Sequence, residues 1–196
     1  MNKIFMVLTA GLLAACAGKG AGTDETPDGD KINLSASPRG LIEAKTDHGT
    51  LTGYNQNYSF YGLWEDDLSE LTQVRYQGKK AVDIPQSGRA VYHGKAVRWD
   101  SINGELLADG TSQLNVDFGN KTVDGKITMP GLRRDITLHQ GNLRGGEYAG
   151  QASVLGNNGG RYSGELFGPQ ARETAGIVEF KNNTDLNTSF GGVRYK

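Results

Sequence analysis

The sequence predicts an all-β protein whose main part is an eight-stranded antiparallel up-and-down β-barrel. Three observations favour this fold class. Glycine supplies 29 of the 196 residues, which is typical of short strands joined by tight turns. Apolar and polar residues alternate over short runs, and turn dipeptides separate these runs at regular intervals. The 21 basic and 22 acidic residues nearly balance, so no global charge favours binding to nucleic acid.

Eight strand-like segments follow one another from residue 88 to the end of the chain. The clearest alternation places Leu114, Val116 and Phe118 on one face. Eight strands joined by short connections can close into a barrel whose interior side chains just fill it, and closure removes exposed edges. We therefore predict that residues 88–196 form a barrel. The segments cover residues 88–99, 111–119, 122–129, 133–140, 146–155, 160–168, 174–181 and 189–195.

A tyrosine followed two residues later by a glycine recurs along the predicted strands. Residues two apart in a strand point the same way, so each tyrosine shares a face with its glycine. Glycine within a strand permits close approach of a neighbouring group. We interpret this pattern as packing in a narrow barrel, rather than as a binding motif. The pairs are Tyr76 with Gly78, Tyr92 with Gly94, Tyr148 with Gly150, and Tyr162 with Gly164.

Residues 1–15 predict a lipoprotein signal peptide. Lys3 precedes an apolar run over residues 4–15, which is too short to cross a bilayer as a helix. The run ends in Leu-Ala-Ala-Cys16, which resembles the bacterial lipobox, in which the cysteine thiol carries fatty acids and becomes the first residue. We predict that Cys16 anchors the chain, because two or more acyl chains hold a protein firmly. Ala17, in place of an aspartate, favours the outer membrane of a Gram-negative bacterium.

Two further segments lie between the predicted anchor and the barrel. Residues 16–47 are rich in Gly, Ala, Ser, Asp and Pro and predict a flexible lipidated tether. Residues 48–87 predict a short β segment packed on the barrel, with strands over 54–64 and 71–78. The aromatic residues that alternate along the first of these strands are Tyr54, Tyr58, Phe60 and Trp64.

Parts of the predicted barrel resemble the C-terminal barrel of the transferrin-binding-protein-B-like surface lipoproteins. Residues 88–97, 115–127 and 160–176 carry the resemblance, and Phe-Gly-Pro-x-Ala-x-Glu within the last of these stretches is its most specific part. The resemblance implies display on a Gram-negative cell surface and binding of a host macromolecule, such as a complement regulator or an iron carrier. Binding surfaces in this group lie on loops and N-terminal additions, so no ligand residue is carried over by motif.

The segment GLWEDDLSEL, residues 62–71, combines a tryptophan with several acids. Tryptophan and tyrosine dominate the energetics of protein interfaces, so we predict partner contacts by Tyr58, Trp64, Asp66 and Asp67. The alternative is a short helical or turn segment that closes one end of the barrel.

A second functional hypothesis is binding of haem or an iron complex that is passed to an outer-membrane receptor. A single histidine suffices as an axial haem ligand, which makes His93 and His139 candidates; ordinary surface histidines are the alternative. No histidine pair has close metal-ligand spacing, so no metal site is predicted. Because the chain has no Gly-x-Ser-x-Gly elbow, phosphate-binding loop or dinucleotide fingerprint, we expect neither an enzyme nor any cofactor besides the haem of this hypothesis.

Overall fold

Fourteen strands follow one another in the computed structural model, which describes residues 20–69, 71–129, 131, 135–155 and 157–195. Cys16, the predicted lipidation site, lies outside the described residues. The strands are β1 (Thr23–Glu25), β2 (Lys31–Asn33), β3 (Gly40–Lys45), β4 (Gly49–Asn55), β5 (Ser59–Asp66), β6 (Thr72–Gly78), β7 (Arg89–Asp100), β8 (Glu105–Asp117), β9 (Thr122–Thr128), β10 (Ile136–Arg144), β11 (Glu147–Val154), β12 (Asn157–Phe167), β13 (Glu173–Phe180) and β14 (Thr188–Arg194).

Strands β7 to β14 close into an antiparallel barrel. Each strand pairs with its neighbours along the chain, and β14 pairs back with β7, so the predicted all-β fold with an eight-stranded up-and-down barrel is confirmed. Alternate side chains fill the interior, as the pleat of a strand requires. The buried aromatic side chains among them are Tyr92, Phe118, Tyr148, Tyr162, Phe180 and Phe190.

Tyrosine and glycine face each other across strands β11 and β12. Tyr148 lies opposite Gly164, and Gly150 lies opposite Tyr162. A Cβ atom added to Gly164 would lie 2.3 Å from the Tyr148 hydroxyl oxygen, and one added to Gly150 would lie 2.5 Å from the Tyr162 ring. Each ring therefore occupies the space that a side chain on the opposing strand would need, and the packing interpretation of the Tyr-x-Gly pattern is confirmed here.

Strands β3 to β6 form an antiparallel four-stranded sheet, the N-terminal sheet, beside the barrel. The β1–β2 hairpin covers the outer face of this sheet. Phe60 and Trp64 pack towards the hairpin with Leu34, whereas Tyr61 packs towards the barrel with Phe167. Because both faces of β5 are buried, this strand is apolar on both sides.

The tether prediction for residues 16–47 is wrong over the part that the structure describes. This part contains β1, β2 and β3. Its apolar residues are few, but Leu34 is fully buried and Ile42 is nearly so, and both join the core of the N-terminal sheet. The glycines, prolines and aspartates that resemble a tether in composition lie mainly in the turns between these short strands.

The single strand predicted over residues 54–64 is also wrong. The chain turns at residues 56–58, so β4 and β5 form a hairpin. As a result Tyr54 faces the barrel, where its hydroxyl donates a hydrogen bond to the Ala108 carbonyl at 2.8 Å, while Phe60 and Trp64 face the hairpin. The polar turn residues continue the alternation of apolar and polar residues in the flanking strands, so the sequence pattern does not reveal that the chain reverses direction there.

The connections divide between the two ends of the barrel, which we name after a residue at each. The Glu173 end carries the loops after β8, β10 and β12, together with the turn after β4. The Asp185 end carries the loops after β7, β9, β11 and β13, together with the turns after β3 and β5. A short 3-10 helix, Thr184–Leu186, lies in the loop after β13.

The side chain of Glu173 joins the N-terminal sheet to the barrel. It is 1% exposed, and its carboxylate accepts hydrogen bonds from the backbone N–H groups of Asn57 at 3.0 Å and Tyr58 at 2.8 Å, and from the Ser59 hydroxyl at 3.0 Å. Burial raises the pKa of Glu173, although these hydrogen bonds act in the opposite direction. One barrel side chain thus holds the turn between β4 and β5.

Glycines allow close approach at the same junction. Gly168 adopts a φ of +73°, and a Cβ atom there would lie 2.6 Å from the Tyr58 ring, so both its backbone conformation and its surroundings favour glycine. A Cβ atom on Gly191 of β14 would lie 2.3 Å from the Tyr61 ring. The Tyr61 hydroxyl also accepts a hydrogen bond from the Lys95 backbone N–H at 3.2 Å. The N-terminal sheet is therefore docked on the barrel along its length.

Replacing Gly164 by alanine should destabilise the barrel by about 2–3 kcal/mol, because the new methyl group would overlap the Tyr148 ring. Gly119→Ala is the matched control, since the nearest atom to its Cβ would be 3.5 Å away, and it should change stability by less than about 0.5 kcal/mol. Urea unfolding followed by circular dichroism measures both. Equal stability of the two variants would contradict the assigned Tyr–Gly packing.

Glu173→Gln should change how stability depends on pH. Because folding raises the pKa of Glu173 above its ordinary value of 4.5, its contribution is complete below pH 4.5 and is lost as the pH rises through the folded-state pKa. The free energy of unfolding of the wild type, minus that of Glu173→Gln, should therefore increase as the pH falls from neutral towards 4.5. Urea unfolding of both proteins at several pH values tests this; a constant difference would show that burial does not control this carboxyl group.

Candidate partner-binding surface

Trp64, a predicted partner contact, belongs to the core of the N-terminal sheet. Its side chain is 5% exposed and packs with Leu51 and Phe60. Its indole Nε1 donates a hydrogen bond to the Thr46 hydroxyl at 3.2 Å. The prediction of a partner contact is therefore corrected for Trp64, because both faces of β5 are covered and this ring has almost no surface to offer.

The remaining predicted contacts fall at opposite ends of the N-terminal sheet. Asp66 accepts hydrogen bonds from the backbone N–H groups of Leu68 and Ser69, both at 2.8 Å, and these bonds lower the pKa of Asp66. Asp67 follows it and is exposed. Tyr58 is half-buried at the Glu173 end. The structure thus brings Asp66 and Asp67 together at the Asp185 end and separates them from Tyr58.

The two histidines proposed as haem ligands lie on the outer wall of the barrel. His93 on β7 is exposed, and its ring meets the Tyr195 ring edge-on with centroids 5.6 Å apart. His139 on β10 is exposed, and its Nε2 lies 2.8 Å from the Ser153 hydroxyl oxygen. Strands β7 and β10 are not neighbours in the barrel, so the structure does not bring the two rings into one site.

A groove separates the N-terminal sheet from the barrel at the Asp185 end. Its volume is about 490 Å³. One wall comes from the sheet and includes Glu65 and Leu71, and the other comes from the barrel and includes Trp99 and Asp185. Since both walls are held by the buried junction described above, the groove is a preformed concave surface, as binding sites usually are.

Exposed apolar side chains lie in this groove and elsewhere at the same end of the molecule. Leu71 is 68% exposed and lines it. Ile102 is 78% exposed and follows Ser101, another residue of the groove wall. Leu68 in the turn after β5 and Leu155 in the loop after β11 are also exposed at this end. Single exposed leucines are ordinary, but apolar groups gathered around one concave surface are typical of protein-binding sites.

The groove is also acidic. Exposed or half-buried acids at the Asp185 end outnumber the exposed bases there, Lys31, Lys45 and Lys181, among the described residues. The buried carboxylate of Asp100 accepts hydrogen bonds from the Ile102 backbone N–H at 3.0 Å and the Asn103 side chain at 2.7 Å, which fixes the loop after β7. Glu65 and Asp185 line the groove, and Asp66, Asp67 and Glu105 lie within two residues of the lining residues Glu65 and Gly104.

Trp99 is one of the groove residues that sequence reasoning missed. A register shift between Ala96 and Arg98 interrupts the alternation of β7, so Trp99 points outward and is half-buried in the groove wall. One signal could have identified it. Trp99 is the last aromatic residue before the turn at Asn103–Gly104, and aromatic residues beside loops are frequent interface residues.

No group of three or more His, Cys, Asp or Glu side chains is arranged to hold a metal ion in the described part of the chain. Within the same part, there is also no helix with the length and hydrophobicity needed to cross a membrane.

Comparison with known sequences identifies one family. The model of the C-lobe and N-lobe β-barrels of Tf-binding protein B matches residues 72–194. Transferrin-binding protein B of Moraxella catarrhalis is 26% identical over 170 residues, which are 72% of this chain and 24% of that protein. The heparin-binding antigen of Neisseria meningitidis serogroup B is 29% identical over 120 residues, 60% of this chain and 24% of that protein. The chain thus spans about a quarter of the length of these relatives.

Solved structures share the fold of this chain. The apo haemoglobin receptor HpuA of Kingella denitrificans has a TM-score of 0.71 at 21% identity, over 89% of this chain and 76% of that one. HpuA in complex with human haemoglobin has a TM-score of 0.72 at 20% identity over the same shares. Transferrin-binding protein B of serogroup B N. meningitidis has a TM-score of 0.67 at 19% identity, over 90% of this chain and 39% of that one.

The chain has two tryptophans, and their fluorescence should distinguish the buried core position of Trp64 from the surface position of Trp99. In Trp99→Phe, the remaining buried Trp64 should emit at shorter wavelength and resist quenching by acrylamide. In Trp64→Phe, the remaining Trp99 should emit at longer wavelength and be quenched at least about twofold more efficiently, because it lies at the surface. Fluorescence spectra and quenching constants measure this, and identical quenching in the two folded variants would contradict the assigned positions.

Proposed function

Because the chain belongs to the family of Tf-binding protein B β-barrels, we propose that it is a surface lipoprotein that binds a host protein through its Asp185 end. Proteins of this family bind ligands and are not enzymes. In this proposal, Cys16 carries the lipid anchor in the outer membrane, and the barrel is a rigid platform for the groove between its loops and the N-terminal sheet.

One observation carries the proposal: a preformed acidic groove has exposed apolar side chains in it and beside it. Leu71 and Ile102 supply apolar anchors, and Asp67 and Asp185 supply negative charge around them. A complementary partner would present apolar side chains among lysines and arginines. Charge complementarity of this kind increases the rate of association, and salt weakens the electrostatic attraction between the two surfaces.

The names of the related proteins support a host serum protein as the partner. One relative is a transferrin-binding protein, and a structural neighbour is a haemoglobin receptor whose complex with human haemoglobin is known. The likeness to the haemoglobin receptor, at about 20% identity, shows a shared fold, so the partner of this chain has to be found by experiment. An iron carrier or a complement regulator fits the proposal equally well.

Haem or an iron complex, passed to an outer-membrane receptor, is the less supported function. The two candidate ligands His93 and His139 lie on separate outer strands of the barrel. Titrating the purified chain with haemin distinguishes this function: a saturable Soret shift that is lost in His93→Ala or His139→Ala would favour it over protein binding.

The double variant Leu71→Ser/Ile102→Ser should lose at least tenfold of its affinity for the serum partner, because both apolar anchors at the groove are removed. Leu41→Ser is the control, since Leu41 is also exposed but is the second residue of β3, at the Glu173 end. The wild-type chain is immobilised, the protein it enriches from serum is identified, and binding of that protein is measured for each variant. Binding should also weaken as salt increases.

Two results would contradict the proposed surface. The first is a partner that binds the double variant as tightly as the wild type. The second is a loss of binding in Leu41→Ser that equals the loss in the double variant. If serum yields no enriched protein with the folded wild-type chain, host-protein binding itself is wrong.

A further inference from the structure

The first described residue of the chain lies at the Glu173 end. The Gly20 backbone N–H donates a hydrogen bond to the carbonyl of Asn57, in the turn that Glu173 holds. Ala21 is buried, and its carbonyl accepts a hydrogen bond from Gln77 at 3.0 Å. Cys16 precedes Gly20 by four residues, and four residues reach at most about 14 Å. A lipid on Cys16 would therefore keep the Glu173 end close to the membrane.

A cleft lined by arginines lies at this same end. Its volume is about 370 Å³, and Arg89, Arg172 and Arg194 line it with Gln170. Arg89 forms an ion pair with Asp117 at 2.9 Å, which offsets part of its charge. The side chain of Arg172 is exposed and has no hydrogen-bond or ion-pair partner within the described residues. Arginine is the side chain best suited to binding phosphate through paired N–H groups.

The wall of the cleft is fixed by the loop after β12. Gln170 and Ala171 both adopt left-handed backbone conformations, with φ of 54° and 55°. The Tyr92 hydroxyl donates a hydrogen bond from inside the barrel to the Ala171 carbonyl at 2.6 Å. Arg194 donates to the Gln170 carbonyl at 3.3 Å, and its guanidinium lies 5.6 Å from the centre of the Phe118 ring. The arginines therefore project from an ordered frame.

One loop connects this cleft to the turn at Asn57, to which Gly20 is bonded. Gly168 contacts Tyr58, the residue after Asn57, and the next residues of the loop, Pro169 and Gln170, line the cleft. The exposed apolar side chains near the cleft are those of Val82, Val193 and Tyr195. Aromatic and apolar groups beside basic ones are typical of surfaces that rest on lipid headgroups.

Charge distinguishes the two ends of the molecule. Among the described residues, bases at the Glu173 end outnumber the carboxylates there other than the buried Glu173, whereas acids outnumber bases at the Asp185 end. The bases are Arg39, Lys79, Lys80, Arg89, Lys121, Arg144, Arg172 and Arg194, and the carboxylates are Asp83, Asp117, Asp124, Glu147 and Glu165. An anionic membrane surface attracts the first end and repels the second.

We propose that the Glu173 end rests on the outer-membrane surface and that its arginine cleft binds a phosphate group of a lipid headgroup. This rests on the proposed lipidation of Cys16. The contact orients the molecule, so that the acidic groove at the Asp185 end points away from the membrane towards a partner. In this arrangement the acyl chains on Cys16 hold the protein at the membrane, and the cleft adds a second contact that fixes its orientation.

Vesicle binding by the chain without its lipid tests the cleft directly. Residues 16–196 with Cys16→Ser, which contain every described strand, are mixed with vesicles of phosphatidylcholine, either alone or with phosphatidylglycerol or lipid A. The chain should co-sediment with the anionic vesicles at low salt and not with the neutral ones. Arg172→Gln/Arg194→Gln should reduce partitioning about 25-fold, since each base near an anionic surface contributes roughly a fivefold change.

A matched control separates the cleft from total charge. Lys126→Gln/Arg161→Gln removes the same charge from exposed positions on the barrel wall and should partition within about twofold of the wild type. Circular dichroism confirms that each variant is folded. Equal losses in the two double variants, or equal binding to neutral and anionic vesicles, would overturn the proposal. Release by inorganic phosphate at constant ionic strength would identify a free-phosphate site and overturn the assignment to lipid.

Failure of the proposed phosphate cleft can be distinguished from failure of the proposed host-protein binding. Vesicle binding here needs neither the lipid nor a host protein, so failure of the cleft leaves serum binding by the wild-type chain unchanged. Mass spectrometry of the mature N-terminus tests lipidation by itself. If Cys16 carries no fatty acid, the phosphate affinity of the cleft is still measured, but the orientation at the membrane is wrong.

Discussion

The structure depends on one buried carboxylate that joins two separately formed parts. Glu173 begins β13 of the barrel and accepts three hydrogen bonds from the turn between β4 and β5 of the N-terminal sheet. Leaving a buried polar group without its hydrogen-bond partner costs about 1–3 kcal/mol, and the Glu173 carboxylate and the Ser59 hydroxyl are both buried, so this side chain favours a single docking position. The acidic groove exists only because that position is maintained, since one of its walls belongs to the sheet and the other to the barrel.

The Phe-Gly-Pro-x-Ala-x-Glu stretch, the most specific part of the family resemblance, forms the barrel side of this junction. Within residues 167–173, Phe167 packs against Tyr76, Gly168 admits the Tyr58 ring, and Glu173 holds the turn. Ala171 closes the end of the barrel under the Tyr92 hydroxyl. The stretch is therefore a docking element for the N-terminal sheet, and it does not belong to the groove at the opposite end.

Sequence reasoning reached the barrel because local signals agree there. The strand patterns, the turn residues and the pairing of Tyr148 and Tyr162 with glycines all specify the same antiparallel neighbours. It failed where burial depends on distant partners. The sequence pattern around Trp64 is typical of an exposed contact, but the β1–β2 hairpin covers this residue. The position of Trp99 in a strand suggests a barrel residue, but the register shift in β7 directs its side chain outward. The groove lies between distant parts of the chain, so no local pattern indicates it.

Both ends of the described chain lie on one side of the molecule. Gly20 is bonded to the turn beside Glu173, and Tyr195 donates its backbone N–H to the Val91 carbonyl near the start of β7. A fold with adjacent termini can be joined in series to another domain without altering its far face. This placement of the ends therefore allows such lobes to be joined in series while the loops at the far end of each lobe stay free, an architecture consistent with the N-lobe and C-lobe barrels of the family.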